Sequence, residues 1–185
     1  MRLRNVIILL VILAALGGAF YFLGHNKAAP TTSVQEYVWS VNMDDITHVE
    51  ISLPRENASQ KFIKIPNGDQ FPWFFDDAKQ SPVDANRWSS GIPLILSGPA
   101  ASRIVTRNAT QDDLAAFGLT QPQMVIVLTL QNQGTMKINV GDLTPNGLMC
   151  YVQAPDSTAV ATVDISWYYT LSQIVEKPPY ATPPG

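Results

Sequence analysis

The sequence predicts an α+β protein, with an N-terminal single transmembrane helix followed by one antiparallel-sheet domain that has a few helices packed on it. Three observations predict it. An unbroken apolar run covers residues 6–23, with Arg2 and Arg4 before it and the polar Gly24-His25-Asn26-Lys27 after it. Beyond residue 33, short segments of alternating apolar and polar residues are separated by Gly, Pro and Asn turns, the period-two pattern of half-buried strands. A few stretches at helical spacing begin with capping residues.

The apolar run would rise about 27 Å as an α-helix at ~1.5 Å per residue, just enough for a bilayer core of about 30 Å. In lipid the helix satisfies its own backbone groups, so Val6, Ile7, Ile8, Val11 and Ile12 carry little penalty. Gly17 and Gly18 offer a flat face where another helix can approach closely. A cleaved secretory signal is the competing reading, with Ala15-Leu16-Gly17 as its cleavage site; the length of the run through Phe20-Tyr21-Phe22-Leu23 favours the anchor. A lipoprotein anchor has no acceptor, because the only cysteine is Cys150. Positive charge ahead of the run places residues 1–5 in the cytoplasm and the remainder outside it, in the periplasm or beyond. The expected organisation is an anchor over residues 1–27, a linker over 28–33, an α+β domain over 34–176 and an extended Pro-rich tail over 177–185.

From Ala28 onward nine Lys/Arg stand against fifteen Asp/Glu, a net charge of −6. That balance argues against nucleic acid as a partner and against docking on anionic lipid, both of which need basic patches. A single cysteine leaves no intramolecular disulfide, and Cys150 reads as a small buried hydrophobe.

Strand material begins over residues 34–39, and Thr47, Val49, Ile51 and Leu53 then alternate with polar partners. Residues 54–59 form a turn, 60–65 pair back, and the Asn67-Gly68-Asp69 turn leads to Phe71, Trp73, Phe74 and Phe75. Ser81-Pro82-Val83-Asp84 starts a helix bearing Trp88, Ile92, Ile95 and Leu96, which Gly91 and Pro93 either bend or break into two pieces. A short strand over 102–107 precedes Thr110-Gln111-Asp112-Asp113, a helix start whose hydroxyl caps and whose acids favour the dipole's positive end. Leu114 and Phe117 form that helix's apolar side and Gly118 ends it in the left-handed conformation.

After Pro122, residues 124–130 are apolar on both faces, as in a central strand. Asn132-Gln133-Gly134 turns the chain back into Met136, Ile138 and Val140. Residues 141–147 read as a loop, 148–153 and 159–163 as strands. Asp164 caps a final helix with Ile165, Tyr168, Tyr169, Leu171 and Ile174 on its apolar side. The tail, with Pro178, Pro179, Pro183 and Pro184, reads as a solvated strap that can lie on a partner. The helices are expected on one side of the sheet.

These residues resemble a known family. Asp44-Asp45-Ile46-Thr47-His48-Val49-Glu50-Ile51, the Trp73 strand and the Pro82-Val83-Asp84-Ala85 helix entry are similar to segments of the domain-of-unknown-function 4340 family. Ala116-Phe117-Gly118-Leu119-Thr120-Gln121-Pro122 resembles its most specific signature, and Gly141-Asp142-Leu143-Thr144-Pro145-Asn146-Gly147 with Tyr151-Val152 resembles a later one. The likeness runs over roughly residues 40–175 in the right order. It departs at the Gly91/Pro93 break and at Met149-Cys150. The resemblance implies a bacterial, membrane-anchored, extracytoplasmic domain, sometimes encoded beside ABC-type exporters. It implies no activity and carries over no catalytic residue. Each motif also has a structural cause, because Phe117-Gly118-Leu119-Pro122 is helix-end and strand-start chemistry and Gly141, Pro145 and Gly147 are turn chemistry.

Catalytic material is sparse. His25 and His48 lack partners at metal-ligand spacing, so no metal is expected. Asp44-Asp45, Asp76-Asp77 and Asp112-Asp113 fall at turns and helix starts, and no calcium loop or phosphate loop is present. Ser89, Ser97, Ser102 and His48 show no nucleophile–base spacing. The aromatics around Trp73 read either as a ligand groove or, as preferred, as core beneath a helix. The sequence therefore predicts a non-enzymatic, single-pass inner-membrane protein without cofactor, an accessory or assembly subunit of a larger membrane complex (electron-transfer, photosynthetic or transport). Its predicted partners are the bilayer, through residues 6–23, and other subunits of that complex. The alternative is a ligand- or polymer-binding module associated with an ABC-type exporter. A long hydrophobic pocket beneath Trp73 would favour the alternative.

Overall fold

Eight strands form one sheet, in the order 73–75, 58–64, 46–53, 124–130, 134–143, 149–153, 160–164 and 103–106, with every neighbouring pair antiparallel. The computed structural model describes residues 12–14, 16–18, 35–68, 72–89, 91–131 and 134–181. The chain divides into two units, Met1–Val34 and Gln35–Gly185. In the first, residues 12–14 and 16–18 are helical, and among the described residues no helix is long and apolar enough to cross a membrane. Most of the 6–23 run, the 28–33 linker, His25, Phe71, Asn132, Gln133 and residues 182–185 lie outside the described residues.

The second unit starts with a meander of β1 (Ile46–Leu53), β2 (Ala58–Lys64) and β3 (Trp73–Phe75). The chain then passes through two short helices, α1 (Ala85–Ser89) and α2 (Ile92–Leu96), to the far edge of the sheet, β4 (Arg103–Thr106). It returns through α3 (Gln111–Ala116) to the centre. There a second meander runs through β5 (Met124–Leu130), β6 (Gly134–Leu143), β7 (Met149–Gln153) and β8 (Val160–Asp164), and α4 (Ile165–Glu176) follows.

Strand alternation decides the core. Val49, Ile51 and Leu53 of β1, Phe62 of β2, Met124, Ile126 and Leu128 of β5 and Ile138 and Val140 of β6 all face one side and are fully buried. A register shift between Ile46 and His48 alters the expected pattern: Ile46 is buried, and Thr47 instead bonds sideways, its hydroxyl donating to the Thr129 carbonyl at 3.1 Å. An extra residue in one strand lets two inward side chains stand three apart.

The break at Gly91 and Pro93 yields two helical pieces, as their chemistry predicts, with Trp88, Ile92 and Leu96 buried on the core face. The final carbonyls of α2 lack intrahelical partners, and two indoles supply them. The Trp39 N–H donates to Leu96 at 3.1 Å and the Trp167 N–H to Ile95 at 3.0 Å, with the two rings packed edge-on. Trp167 thus belongs to the buried face of α4 with Leu171, Ile174 and Val175, whereas Tyr169, expected there, is exposed. Positions 167, 171 and 174 follow the helical repeat, and Tyr169 lies off it.

Three further expectations are corrected. Residues 35–41 form no regular strand; they run alongside residues 97–101 through hydrogen bonds from Val38 to Pro99, Val41 to Ser97 and Ala101 to Glu36, with a single bridge at Tyr37. The helices are not all on one side. Leu114 of α3 packs with Leu119 and Val160, and with Tyr151, whose neighbour Val152 faces the main core. Successive strand residues point to opposite faces, so α3 covers the other face at the β7-β8-β4 end. This leaves β5 central as expected, with Val125 and Val127 only half-buried on that second face.

The third correction concerns the tail. Its described part packs on the domain although Lys177 and Ala181 are exposed: Pro179 is buried, the Asp84 N–H donates to the Pro179 carbonyl at 2.8 Å and the Ala181 N–H to that of Pro82 at 3.1 Å. Tyr180 stacks on Phe75 with ring centroids 4.0 Å apart, and Arg87 donates to the carbonyls of Lys177 and Pro178.

Candidate functional site

Two places gather the residues that the sequence singles out. The first is a cleft at the end of β2. Asn42 caps a 3₁₀ turn, Met43–Asp45, its side chain accepting from the Asp44 N–H at 3.1 Å. The Asp45 carbonyl accepts from the Gln131 N–H at 2.7 Å, tying that turn to the end of β5. Lys64 and Trp73 are register partners on the face that carries Phe62 and Phe75. The strand is running out there, so a lysine can occupy an inward position without full burial.

The Lys64 ammonium donates to the Asp44 carbonyl at 3.0 Å and lies 5.4 Å from the centroid of the Trp73 ring. Partial burial pushes the pKa of this lysine down, and the charges of Asp44 and Asp45 act in the opposite direction. Met43, Pro66, Trp73 and Pro93 supply apolar walls, Asp44, Asp45 and Gln131 polar ones, and the cleft encloses about 750 Å³. Of the aromatics expected as core, Trp88 and Phe75 are buried beneath it, whereas Phe74 lies half-buried on the other face; Trp73 packs on Trp88 at 5.1 Å, and Trp88 on Phe62 at 4.5 Å. Trp73 therefore serves both as cleft wall and as the edge of the core.

The second place is a corner that joins the two glycine motifs. Thr110 and Asp113 form a reciprocal capping box at the start of α3. The Thr110 N–H and hydroxyl both donate to the Asp113 carboxylate, which holds its pKa below the usual carboxylate range. At the other end of α3 Gly118 has φ +70°, and the Leu119 N–H reaches back to the Leu114 carbonyl at 2.8 Å. Phe117 stacks on Tyr151 at 4.5 Å, and its carbonyl accepts from the Asp142 N–H at 2.8 Å.

A Cβ on Gly118 would fall inside the Asp142 carboxylate, and a Cβ on Gly141 inside the Phe117 carbonyl. Each glycine thus makes room for the other motif. Arg55, in the turn after β1, closes the corner by donating to Asp142 at 2.7 Å and to the Gln121 carbonyl at 2.9 Å. The segment expected as a loop from Gly141 is in fact the end of β6 through Leu143, bent by a register shift after Val140. Two contacts account for it: Leu143 still pairs with Cys150 of β7, and the Asp142 N–H finds its partner in the Phe117 carbonyl.

The structure thus brings together Phe117, Gly118, Leu119 and Gly141, with Pro122 half-buried at the exit towards β5. Pro145 and Gly147 lie apart in the exposed β6–β7 turn, where the Gly147 N–H donates to Thr144 at 2.8 Å. Gly17 and Gly18 are helical, with open space where a side chain would project. Sequence reasoning missed Lys64, Gln131, Arg55 and Asp142. Lys64 carried a signal, a charge at the inward parity of Phe62 opposite Trp73; the others are joined only by the fold.

The three acidic pairs sit in the 3₁₀ turn, in the turn after β3 and in the first turn of α3. His48 Nε2 is 3.0 Å from the Asp76 carboxylate. Among the described residues no three His, Cys, Asp or Glu side chains form a metal-holding group.

Cys150 is fully buried, its thiol 3.8 Å from the Val163 carbonyl, and desolvation pushes its pKa up to about 12. The thiolate is the reactive form. We expect a maleimide to leave the native domain unlabelled at neutral pH and to label it at the rate of global unfolding in urea; mass spectrometry of quenched samples measures this. Rapid native labelling would show the β7 core to be open.

Comparison with known proteins gives one family match. The model of a domain of unknown function, DUF4340, matches residues 73–177, more than half of the chain. The match begins at Trp73, so the Asp44–Ile51 part of the resemblance lies outside it, while Gly118, Gly141 and Trp73 lie within. No curated protein matches the chain, and no solved structure does. The chain, with its Trp73 strand and interlocked glycine motifs inside the matched span, belongs to the DUF4340 family.

Proposed function

We propose that the protein is a non-enzymatic, single-pass membrane protein, held in the inner membrane by residues 6–23, whose extracytoplasmic domain makes protein contacts. It serves as an accessory or assembly subunit of a larger membrane complex (electron-transfer, photosynthetic or transport). One observation carries this reading. On the sheet face opposite the main core α3 covers only the β7-β8-β4 end, and Ile63, Phe74, Val125 and Val127 remain half-exposed on β2, β3 and β5. Across strands on that face His48 Nε2 lies 3.0 Å from the Asp76 carboxylate and Lys61 3.3 Å from that of Glu50, while Lys137 stands opposite Val127, so it presents an apolar strip among mixed charges. Such a strip suits a protein surface better than a free ion.

The expected result is that the native protein, extracted in mild detergent, migrates in an assembly far larger than its own 20.3 kDa. Val125→Lys with Val127→Lys should release it without preventing membrane insertion. Replacing Gly17 and Gly18 by Leu should loosen the same assembly from within the bilayer. A lone monomer in a micelle overturns the subunit reading. Protease added to spheroplasts should digest the domain, and protection of the C-terminal half would overturn the topology.

The second reading is a ligand- or polymer-binding module associated with an ABC-type exporter. The cleft at Trp73 favours it, since its roughly 750 Å³ falls within the size range of small-molecule sites.

A further inference from the structure

We infer that the cleft bounded by Lys64, Trp73, Asp44, Asp45, Gln131 and Pro93 is a seat for a neutral polyhydroxylated ligand, a short segment of carbohydrate. The inference rests on the second reading above and names its ligand class. Several hydrogen-bonding groups that line the cleft have no partner for part or all of their capacity. Lys64 spends one of its three N–H donors on the Asp44 carbonyl, which leaves two. Among the described residues the Asp44 and Asp45 carboxylates accept no hydrogen bond, and the Gln131 side-chain amide makes none; the main chains of Asp45 and Gln131 are bonded to each other. One concavity thus carries both donors and acceptors, beside walls of indole, proline, methionine and Thr47.

Charge narrows the choice. Two carboxylates and one ammonium give the cleft a net charge of −1, which disfavours phosphates and carboxylates. A cationic ligand meets a different obstacle, because the place of a cation near the Trp73 ring is already held by the Lys64 ammonium. A purely apolar ligand would take water from the two carboxylates and from the spare Lys64 donors without replacing its hydrogen bonds, at a cost that grows with burial. Hydroxyl groups meet none of these objections. Each can donate to a carboxylate and accept from an ammonium or amide, and the C–H faces of a sugar ring pack against indole and proline.

The test uses the full chain reconstituted in phosphatidylcholine nanodiscs, since glycosidic detergents would themselves compete. Cellotetraose and tri-N-acetylchitotriose are titrated with tryptophan emission and calorimetry as readouts, beside spermidine and inorganic phosphate. The expected result is saturable binding of at least one saccharide with a shift of tryptophan emission. Lys64→Met and Gln131→Ala should each weaken it about tenfold, the loss of one or two hydrogen bonds to a polar ligand. Gln131 is exposed and methionine keeps the apolar stem of Lys64 against Trp73, and circular dichroism checks that the variants fold; Val125→Lys, on the opposite face, should leave saccharide affinity unchanged. Absence of saturable saccharide binding by folded protein, or binding indifferent to both cleft variants, overturns the inference. Spermidine or phosphate binding without saccharide overturns the ligand class and leaves the cleft as a site, whereas no binding by any probe removes the second reading as well.

Discussion

Gly141→Ala is expected to destabilise the 35–185 unit by about 3 kcal/mol, the upper end of the usual cost of forcing atoms into a packed place. The new methyl would enter the Phe117 carbonyl, a main-chain atom held by its hydrogen bond from Asp142, with Leu119 Cγ at 3.0 Å on the other side. Neither neighbour can rotate away, because relief requires the end of α3 to move off β6. Gly118→Ala is expected to cost about 2 kcal/mol through a different mixture of effects. Its φ of +70° strains any residue with a Cβ, and the methyl would displace the Asp142 carboxylate from Arg55. That carboxylate is a side-chain end, half-exposed, and the ion pair itself contributes little, so part of the clash relaxes cheaply. The double variant should cost less than the sum, since once α3 has shifted both methyl groups find room. Urea denaturation of the four proteins measures this. Full additivity would mean that the two glycines do not share one corner, and an unchanged midpoint for Gly141→Ala would mean that β6 does not continue past Val140.

The same corner shows what the sequence made legible and what it did not. Gly118 was readable as a helix end, because a capping box followed by an apolar pair and then glycine is local chemistry that needs no partner. The strands of both meanders and the broken helix at Gly91 and Pro93 were readable for the same reason, as each follows from periodicity or from one residue's backbone limits. Gly141 was misread as loop because its reason for being glycine is the Phe117 carbonyl, more than twenty positions away in sequence. The placement of α3 on the second face was also hidden. Val160 and Val163 stand three apart in one strand and so face opposite sides, but nothing local says that both sides are covered. In the cleft, Trp73 announced itself and Lys64 half did, while Gln131 arrives there through a backbone bond between the ends of distant strands.

Truncation after Lys177 is expected to be the other severe change, costing about 3–5 kcal/mol, the range for removing a packed aromatic from a core. A Pro-rich tail read from composition suggests a segment waiting for a partner, and the geometry of residues 177–181 says otherwise. Tyr180 lies flat on Phe75, which is only 2% exposed, and its bridge to Val83 extends the sheet beyond β3. The Asp84 N–H that starts α1 is satisfied by the Pro179 carbonyl, and the Arg87 side chain from the same helix holds the carbonyls of Lys177 and Pro178. Removing the strap therefore uncovers Phe75 and Val83 and unpins α1 together, and α1 carries Trp88 into the main core. Proline makes the strap cheap to order, since its fixed φ leaves less entropy to lose. Tyr180→Ala alone should reproduce most of the loss and Tyr180→Phe almost none, because stacking on Phe75 uses the ring and not the hydroxyl. Thermal unfolding separates this from a tail that serves only a partner. In that case the truncated protein would melt at the parent temperature and lose only its place in the assembly.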